Sequence, residues 1–192
     1  MDINTAIEHS NQKQSANKFG YKRPTYETQQ DRYNQLQIAT VVARARGCQV
    51  QAMKAHSAVD FAAVHAVPSP DGYQKSVAAV RFWFEVKHRH IEFGQYATLI
   101  LSLHKWMDGH ALALATGKPF VFCVRFKNGD IYYYNIKTTP QEAGFTIAIG
   151  GRASRTMPDG SIEMDPNDIE PVVHIPMTAL QILYSPNAQE KS

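Results

Sequence analysis

Arg81-Phe-Trp-Phe-Glu85-Val-Lys87-His-Arg89 alternates large apolar and charged side chains. That period of two places Phe82, Phe84 and Val86 on one face of a strand. Arg81, Trp83, Glu85, Lys87 and Arg89 fall on the other. An acid and a lysine two residues apart thus share a face, on a strand (Val77–His88) otherwise built for a core. Upstream, Pro68-Ser-Pro-Asp-Gly72 is a turn signal, and before it Val59–Val67 reads as the partner strand of an antiparallel hairpin. That partner carries Asp60 inside the apolar run Ala58-Val-Asp-Phe-Ala-Ala-Val64. A turn near Asp71–Gly72 makes the numbers of facing residues sum to about 145, give or take a bulge, which sets Asp60 opposite Glu85. The two carboxylates would then stand roughly 5 Å apart on one face. Like charges that close destabilise a sheet, so a compensating charge is expected, and a divalent cation with Lys87 nearby supplies it. An acid-x-Lys triplet alone arises by chance about once in a chain of this composition. Its weight here comes from the apolar strand, the preceding Asp and the register that joins them. The plainer alternative is a cross-strand Glu–Lys pair with Asp60 at a strand start.

Working outward, Thr25 can cap a helix running from Tyr26 to about Arg46, with Tyr33, Leu36, Ile38, Ala39, Val42 and Ala43 at helical spacing and Gly47 at its end. Cys48–Met53 reads as a further strand. Tyr96–Leu103 is ambiguous between a strand and a helix start, and His104–Thr116 is helical up to Gly117-Lys-Pro119. Phe120–Phe126 and Ile131–Ile136 flank Asn128-Gly129, a hairpin signal. Gly150–Pro171 reads as an acidic loop, and Val172–Leu183 as a strand leading into a short helix. One helix, three strands, one helix and two or more strands predict an α/β fold, a central mixed sheet flanked by helices. The expected organisation is a flexible polar arm over 1–24, a single domain over 25–184 with the loop at 150–171, and a polar tail over 185–192.

Composition bounds the function classes. A chain of 192 residues, 44% hydrophobic, can build one core without disulfide or metal staples. Cys48 and Cys123, both in apolar stretches, read as free thiols in a reducing cytoplasm. No apolar run is long enough to span a membrane, and the first residues lack the pattern of a signal peptide, so a cytoplasmic protein without membrane partners is expected. The net charge of +3 announces no nucleic-acid binder. It is, however, an average over two unlike regions. Gly150–Pro171 carries five acids against Arg152 and Arg155, a local −3, which leaves +6 on the rest.

The order helix, strand, strand with Asp60, strand with Glu85-x-Lys87, helix, strand resembles the PD-(D/E)XK nuclease superfamily. Its resolvase-like and phage-encoded nucleases are the most similar. The resemblance covers roughly Tyr26 to Ile136, and Tyr96-Ala-Thr98, Ser102-Leu-His-Lys105-Trp106, Gly150-Gly-Arg152, Asp168-Ile-Glu170-Pro171 and His174-Ile-Pro176 also look like such phage proteins. Val59 stands where the motif usually has Pro, a tolerated departure. The resemblance implies a restriction-endonuclease-like α-β-β-β-α-β core and metal-dependent hydrolysis of phosphodiester bonds in DNA. Asp60, Glu85 and the main-chain carbonyl of Val86 would hold Mg²⁺ (or Mn²⁺), and Lys87 would position the attacking water. Many members add an acid from the first helix, for which Glu27 is the candidate here. A host-cell cytoplasm is implied if the protein is phage-encoded, and a homodimer stays open. The other functional readings are a catalytically silent nuclease-like binding or interaction module, and a ribonuclease.

Arg81, Arg89 and Lys105 are candidate phosphate contacts, as are Arg152 and Arg155 beside the Gly150-Gly151 turn. His88, His90, His104 and His110 raise zinc, but no cysteine lies at ligand spacing and His88 should point away from His90 on a strand. Tyr132-Tyr-Tyr134 could stack bases, though alternation should bury at least one ring.

Overall fold

The computed structural model describes residues 29–53, 57–65, 79–150, 153–156, 162–164 and 169–186. The arm over 1–24, the Thr25 cap, Glu27, the Pro68–Gly72 turn, Arg152 and the last six residues of the tail lie outside them.

Ile38, Ala39, Val42 and Ala43 are all but fully buried on helix α1 (Gln29–Arg44). They form one stripe because residues four apart stack on the same face. Tyr33 and Leu36 were expected in that stripe and are instead exposed. Leu36 lies about 200° around the helix from Ile38, so the two cannot share a face.

The strands that follow build a six-stranded sheet in the order β1-β2-β3-β5-β6-β11. These are β1 (Cys48–Ala52), β2 (Phe61–His65), β3 (Val80–His88), β5 (Phe120–Arg125), β6 (Ile131–Ile136) and β11 (Gln181–Tyr184). Neighbours are antiparallel except β3 and β5, which are parallel. A parallel pair needs a crossover, supplied here by β4 (Thr98–Ser102) and helix α2 (Leu103–Thr116). Within the ambiguous Tyr96–Leu103 stretch, Thr98–Ser102 is the strand and Leu103 starts the helix. The strand's last residue, Ser102, is the N-cap of α2, and Gly117, at φ 66°, closes the helix by donating its N–H to the Ala113 carbonyl. The β5–β6 turn places Gly129 at φ 89°, as a residue in the left-handed region of a tight hairpin requires.

Both faces of β3 are buried. Phe82, Phe84 and Val86 join Ile38, Val42, Phe61 and Cys123 in the core beneath α1. Trp83 joins Trp106, Leu112, Phe120 and Phe122 in the core beneath α2. The alternation read from the sequence is thus real, but the charged face is no solvent face.

Three features depart from expectation. A second sheet of three strands, β4-β10-β7, with β7 (Thr146–Gly150) and β10 (Glu170–Pro176), packs Leu99, Leu101, Val173 and Ile175 into the α2-side core. The acidic loop contains an antiparallel pair, β8 (Ala153–Thr156) with β9 (Ile162–Met164), on either side of a Pro158-Asp159-Gly160 turn sequence. The terminal stretch does run into a short 3-10 helix (Met177–Ala179), but the chain then turns back into β11. The three tyrosines serve packing: Tyr132 stacks on Phe93 at 4.1 Å, Tyr134 tilts against Trp106, and Tyr133 donates to Gln181. Among the described residues no helix is long and apolar enough to cross a membrane.

Candidate active site

The β2–β3 register decides which side chains meet. Phe61 faces Phe84, Ala62 faces Trp83 and Ala63 faces Phe82, so each pair sums to 145 before a bulge at Val64. One step further along, Asp60 comes beside Glu85, as the turn position predicts. Asp60 stands at the entrance to β2, where its carbonyl accepts the Met53 N–H at 2.9 Å.

Two lysines meet this pair. Lys87 Nζ lies 2.8 Å from Glu85 Oε1. Lys105 Nζ, from the first turn of α2, lies 2.8 Å from Asp60 Oδ1 and 3.0 Å from Glu85 Oε2. The Glu85 side chain is 0% exposed, whereas Asp60, Lys105 and Lys87 retain 22%, 27% and 32% of their surfaces. The cluster therefore opens to solvent on the aspartate and lysine side, with Glu85 at its floor.

Burial and the neighbouring Glu85 charge push the Asp60 carboxyl up to about 7, against the pull of both lysines. Burial works in the same upward direction on Glu85, but Lys87 and Lys105 overcome it and hold that carboxyl down at about 2. Glu85 in turn raises Lys87 more than burial lowers it. Lys105 is also raised: burial works against its charge, and Glu85 and Asp60 outweigh it. One carboxylate is firmly ionised and its neighbour readily takes a proton, the behaviour of like charges sharing a site.

Several elements fix α2, and hence Lys105, over the sheet. Trp106 Nε1 donates to the Thr138 carbonyl at 2.9 Å, and Trp83 Nε1 donates to Thr116 Oγ1 at 3.0 Å. Ser102 Oγ donates to Glu170 Oε2 at 2.5 Å, so one acid of the Gly150–Pro171 stretch holds the N-terminus of α2. Gly109 lets the helix approach Phe120 so closely that a Cβ there would lie 2.1 Å from the ring.

The remaining candidates are less gathered. Val86 buries its side chain in the opposite core. Arg81 donates to the Arg46 carbonyl at 3.2 Å, four residues and about 13 Å of strand from Glu85. Arg89 reaches the Ile100 carbonyl at 3.5 Å, tying the end of β3 to β4. Arg155 lies on β8. His88 and His90 do not point apart: their rings stand 4.4 Å centroid to centroid, because β3 ends at His88 and strand alternation does not extend to His90. Sequence reasoning placed Lys105 as a phosphate contact and missed its position between the two carboxylates. The only hint was its place at the start of a helix following the Glu85 strand.

The donor set suits a hard divalent cation. Glu85 Oε1 is buried, with the Lys87 ammonium 2.8 Å away as its charged neighbour. A buried carboxylate oxygen in that setting is a ready ligand for Mg²⁺ or Mn²⁺. Among the described residues no group of three or more His, Cys, Asp or Glu converges.

No curated protein and no solved structure is similar enough to this chain to be matched. A family model does match, over residues 21–183, and it is described as phage putative PDDEXK endonuclease. That span takes in α1, Asp60, the Glu85-x-Lys87 strand, α2 and every described strand up to but not including the last residue of β11. The chain belongs to the phage putative PDDEXK endonuclease family.

Proposed function

We propose that the protein is a divalent-metal-dependent endonuclease that hydrolyses phosphodiester bonds in DNA. The observation that carries this reading is the pairing of half-buried Asp60 with fully buried Glu85, with two lysine ammonium groups within 3.0 Å of the pair. Asp60, Glu85 and the Val86 carbonyl would hold Mg²⁺ or Mn²⁺, with Glu27 as a further candidate ligand. When bound, the ion supplies Lewis acidity, a water of lowered pKa and charge for the leaving oxygen. Glu85 stays ionised at any working pH because the lysines hold it so. Asp60 gives up its proton near neutrality, so both carboxylates are ionised once the pH passes about 7. Lys87, ion-paired to Glu85 and partly exposed, is placed to orient the attacking water and to offset charge on the phosphoryl oxygens. DNA as the substrate is supported by the +6 carried outside Gly150–Pro171 and by Arg81, Arg89, Lys105, Arg152 and Arg155 as phosphate contacts.

Supercoiled plasmid incubated with Mg²⁺ or EDTA, using wild type and Glu85→Ala, tests the reading. Nicking and linearisation by wild type with Mg²⁺ alone is the expected result, and Glu85→Ala is expected to lose at least about a thousandfold in rate. Intact binding without cleavage in either Mg²⁺ or Mn²⁺ would leave a binding module instead. A parallel panel of single-stranded, duplex and branched DNA and of RNA identifies the preferred substrate.

A further inference from the structure

Lys87 and Lys105 meet the carboxylates in different ways. Lys87 contacts Glu85 alone, through Oε1. Lys105 contacts one oxygen of each acid, Asp60 Oδ1 and Glu85 Oε2. That bridging position, between acids from two neighbouring strands, is one for which a divalent cation held by both carboxylates would compete. Mg²⁺ needs its oxygens at about 2.1 Å in near-octahedral array. An ammonium hydrogen-bonded to the same two oxygens would then stand within a few ångströms of a doubly charged ion, and the two repel.

We infer that Lys105 is a resident counter-ion that is exchanged for the metal: its ammonium leaves the two carboxylates as the ion enters and becomes a contact for the substrate phosphate. The inference rests on the metal-dependent reading above and adds to it a competing residue. The exchange is confined to one side chain. The α2 backbone is held by the Ser102–Glu170 and Trp106–Thr138 hydrogen bonds and by the Gly109–Phe120 contact. Lys105 itself has a flexible four-carbon stem and 27% of its surface open to solvent, so it has a path outward. The metal-free protein gains by this arrangement, since Asp60 and Glu85 without Lys105 would repel across the strands. The gain must be given back on metal binding, so the lysine weakens the metal's apparent affinity.

Mn²⁺ titrations followed by the paramagnetic resonance of the free ion, on wild type, Lys105→Met and Glu85→Gln, test this. Lys105→Met should bind Mn²⁺ about tenfold tighter or more than wild type at a site that Glu85→Gln abolishes. A site of equal or weaker affinity in Lys105→Met overturns the exchange while leaving the metal reading intact. No Glu85-dependent site in either protein overturns both. A second measurement needs no variant. Acylation of lysines in the wild-type protein, read by peptide mass spectrometry, should show Lys105 reacting several-fold faster with Mg²⁺ than with EDTA, as it is released from its ion pairs. An unchanged or slower rate at Lys105 overturns the inference even if Lys105→Met fails to fold.

Discussion

At Asp60, the proposed metal ligand, burial beside Glu85 sets a measurable pH signature. Its carboxyl is pushed from 3.8 to about 7, so between those values the folded metal-free protein binds a proton that the unfolded chain releases. Stability linked to Asp60 therefore falls as pH rises from about 4 to about 7. Glu85 acts oppositely: held down at about 2, it contributes stability that is present above the usual glutamate range and lost as pH falls toward 2. Thermal melts in EDTA should show the wild-type midpoint dropping relative to Asp60→Asn as pH rises through this window. His88, lowered by burial and by His90 and Arg125, titrates in both proteins and cancels in the difference. A difference that is flat from pH about 4 to 7 would contradict the assignment. At Lys87 the expected loss is kinetic. Lys87→Ala should lower the cleavage rate by about a hundredfold or more in single-turnover assays with saturating Mg²⁺. Asp60, Glu85 and Lys87 were legible as a group because strand alternation and one turn position fix their faces and register. Lys105 was legible only as a helix-start cation, because its reach to both acids depends on how α2 returns over the sheet.

Between elements, the approach of α2 to β5 is the contact that sets the height of Lys105 above the carboxylates. Gly109 is buried, and a Cβ added there would lie 2.1 Å from Phe120 Cε1, in a core where that ring is fully enclosed. Relief requires the helix to lift or the ring to turn, and overpacking of this kind costs about 1–3 kcal/mol. Gly109→Ala should accordingly lower the melting midpoint by several degrees and reduce cleavage together, whereas Ala111→Ser on the exposed side of α2 should alter neither. Retention of wild-type stability in Gly109→Ala would mean that the helix sits further from the sheet. The elements themselves were read to differing depth. The β5–β6 hairpin and the β2–β3 register rest on local turn chemistry, and both appear as expected. The second sheet does not, because Ser102 pairs with Val172 across most of the second half of the chain, and no local pattern encodes such a partner. For the same reason β11 was read only as the end of a terminal strand and short helix, although it closes the far edge of the main sheet against β6.

Taken as a whole, the molecule puts its ionic cluster where β2, β3 and α2 meet, between two cores that bury both faces of the central strand. Its charge is divided just as unevenly: −3 within Gly150–Pro171 against +6 elsewhere, inside a total of only +3. A polyanion is then drawn by local rather than net charge, and the consequence is a salt dependence steeper than the net value suggests. Binding of duplex DNA to the cleavage-deficient Glu85→Gln protein, measured from low to physiological salt, should give a log–log slope of about −0.9 for each phosphate neutralised. Arg89 ties the end of β3 to β4 two residues beyond Lys87, just past the far end of the strand that carries Glu85 and Lys87. Arg89→Ala should reduce the slope by about one unit and weaken binding alike for unrelated sequences, because a phosphate contact carries no base information. A slope unchanged in Arg89→Ala would remove that arginine from the interface. Binding insensitive to salt in the parent protein would argue against a nucleic-acid partner held through its phosphates at all.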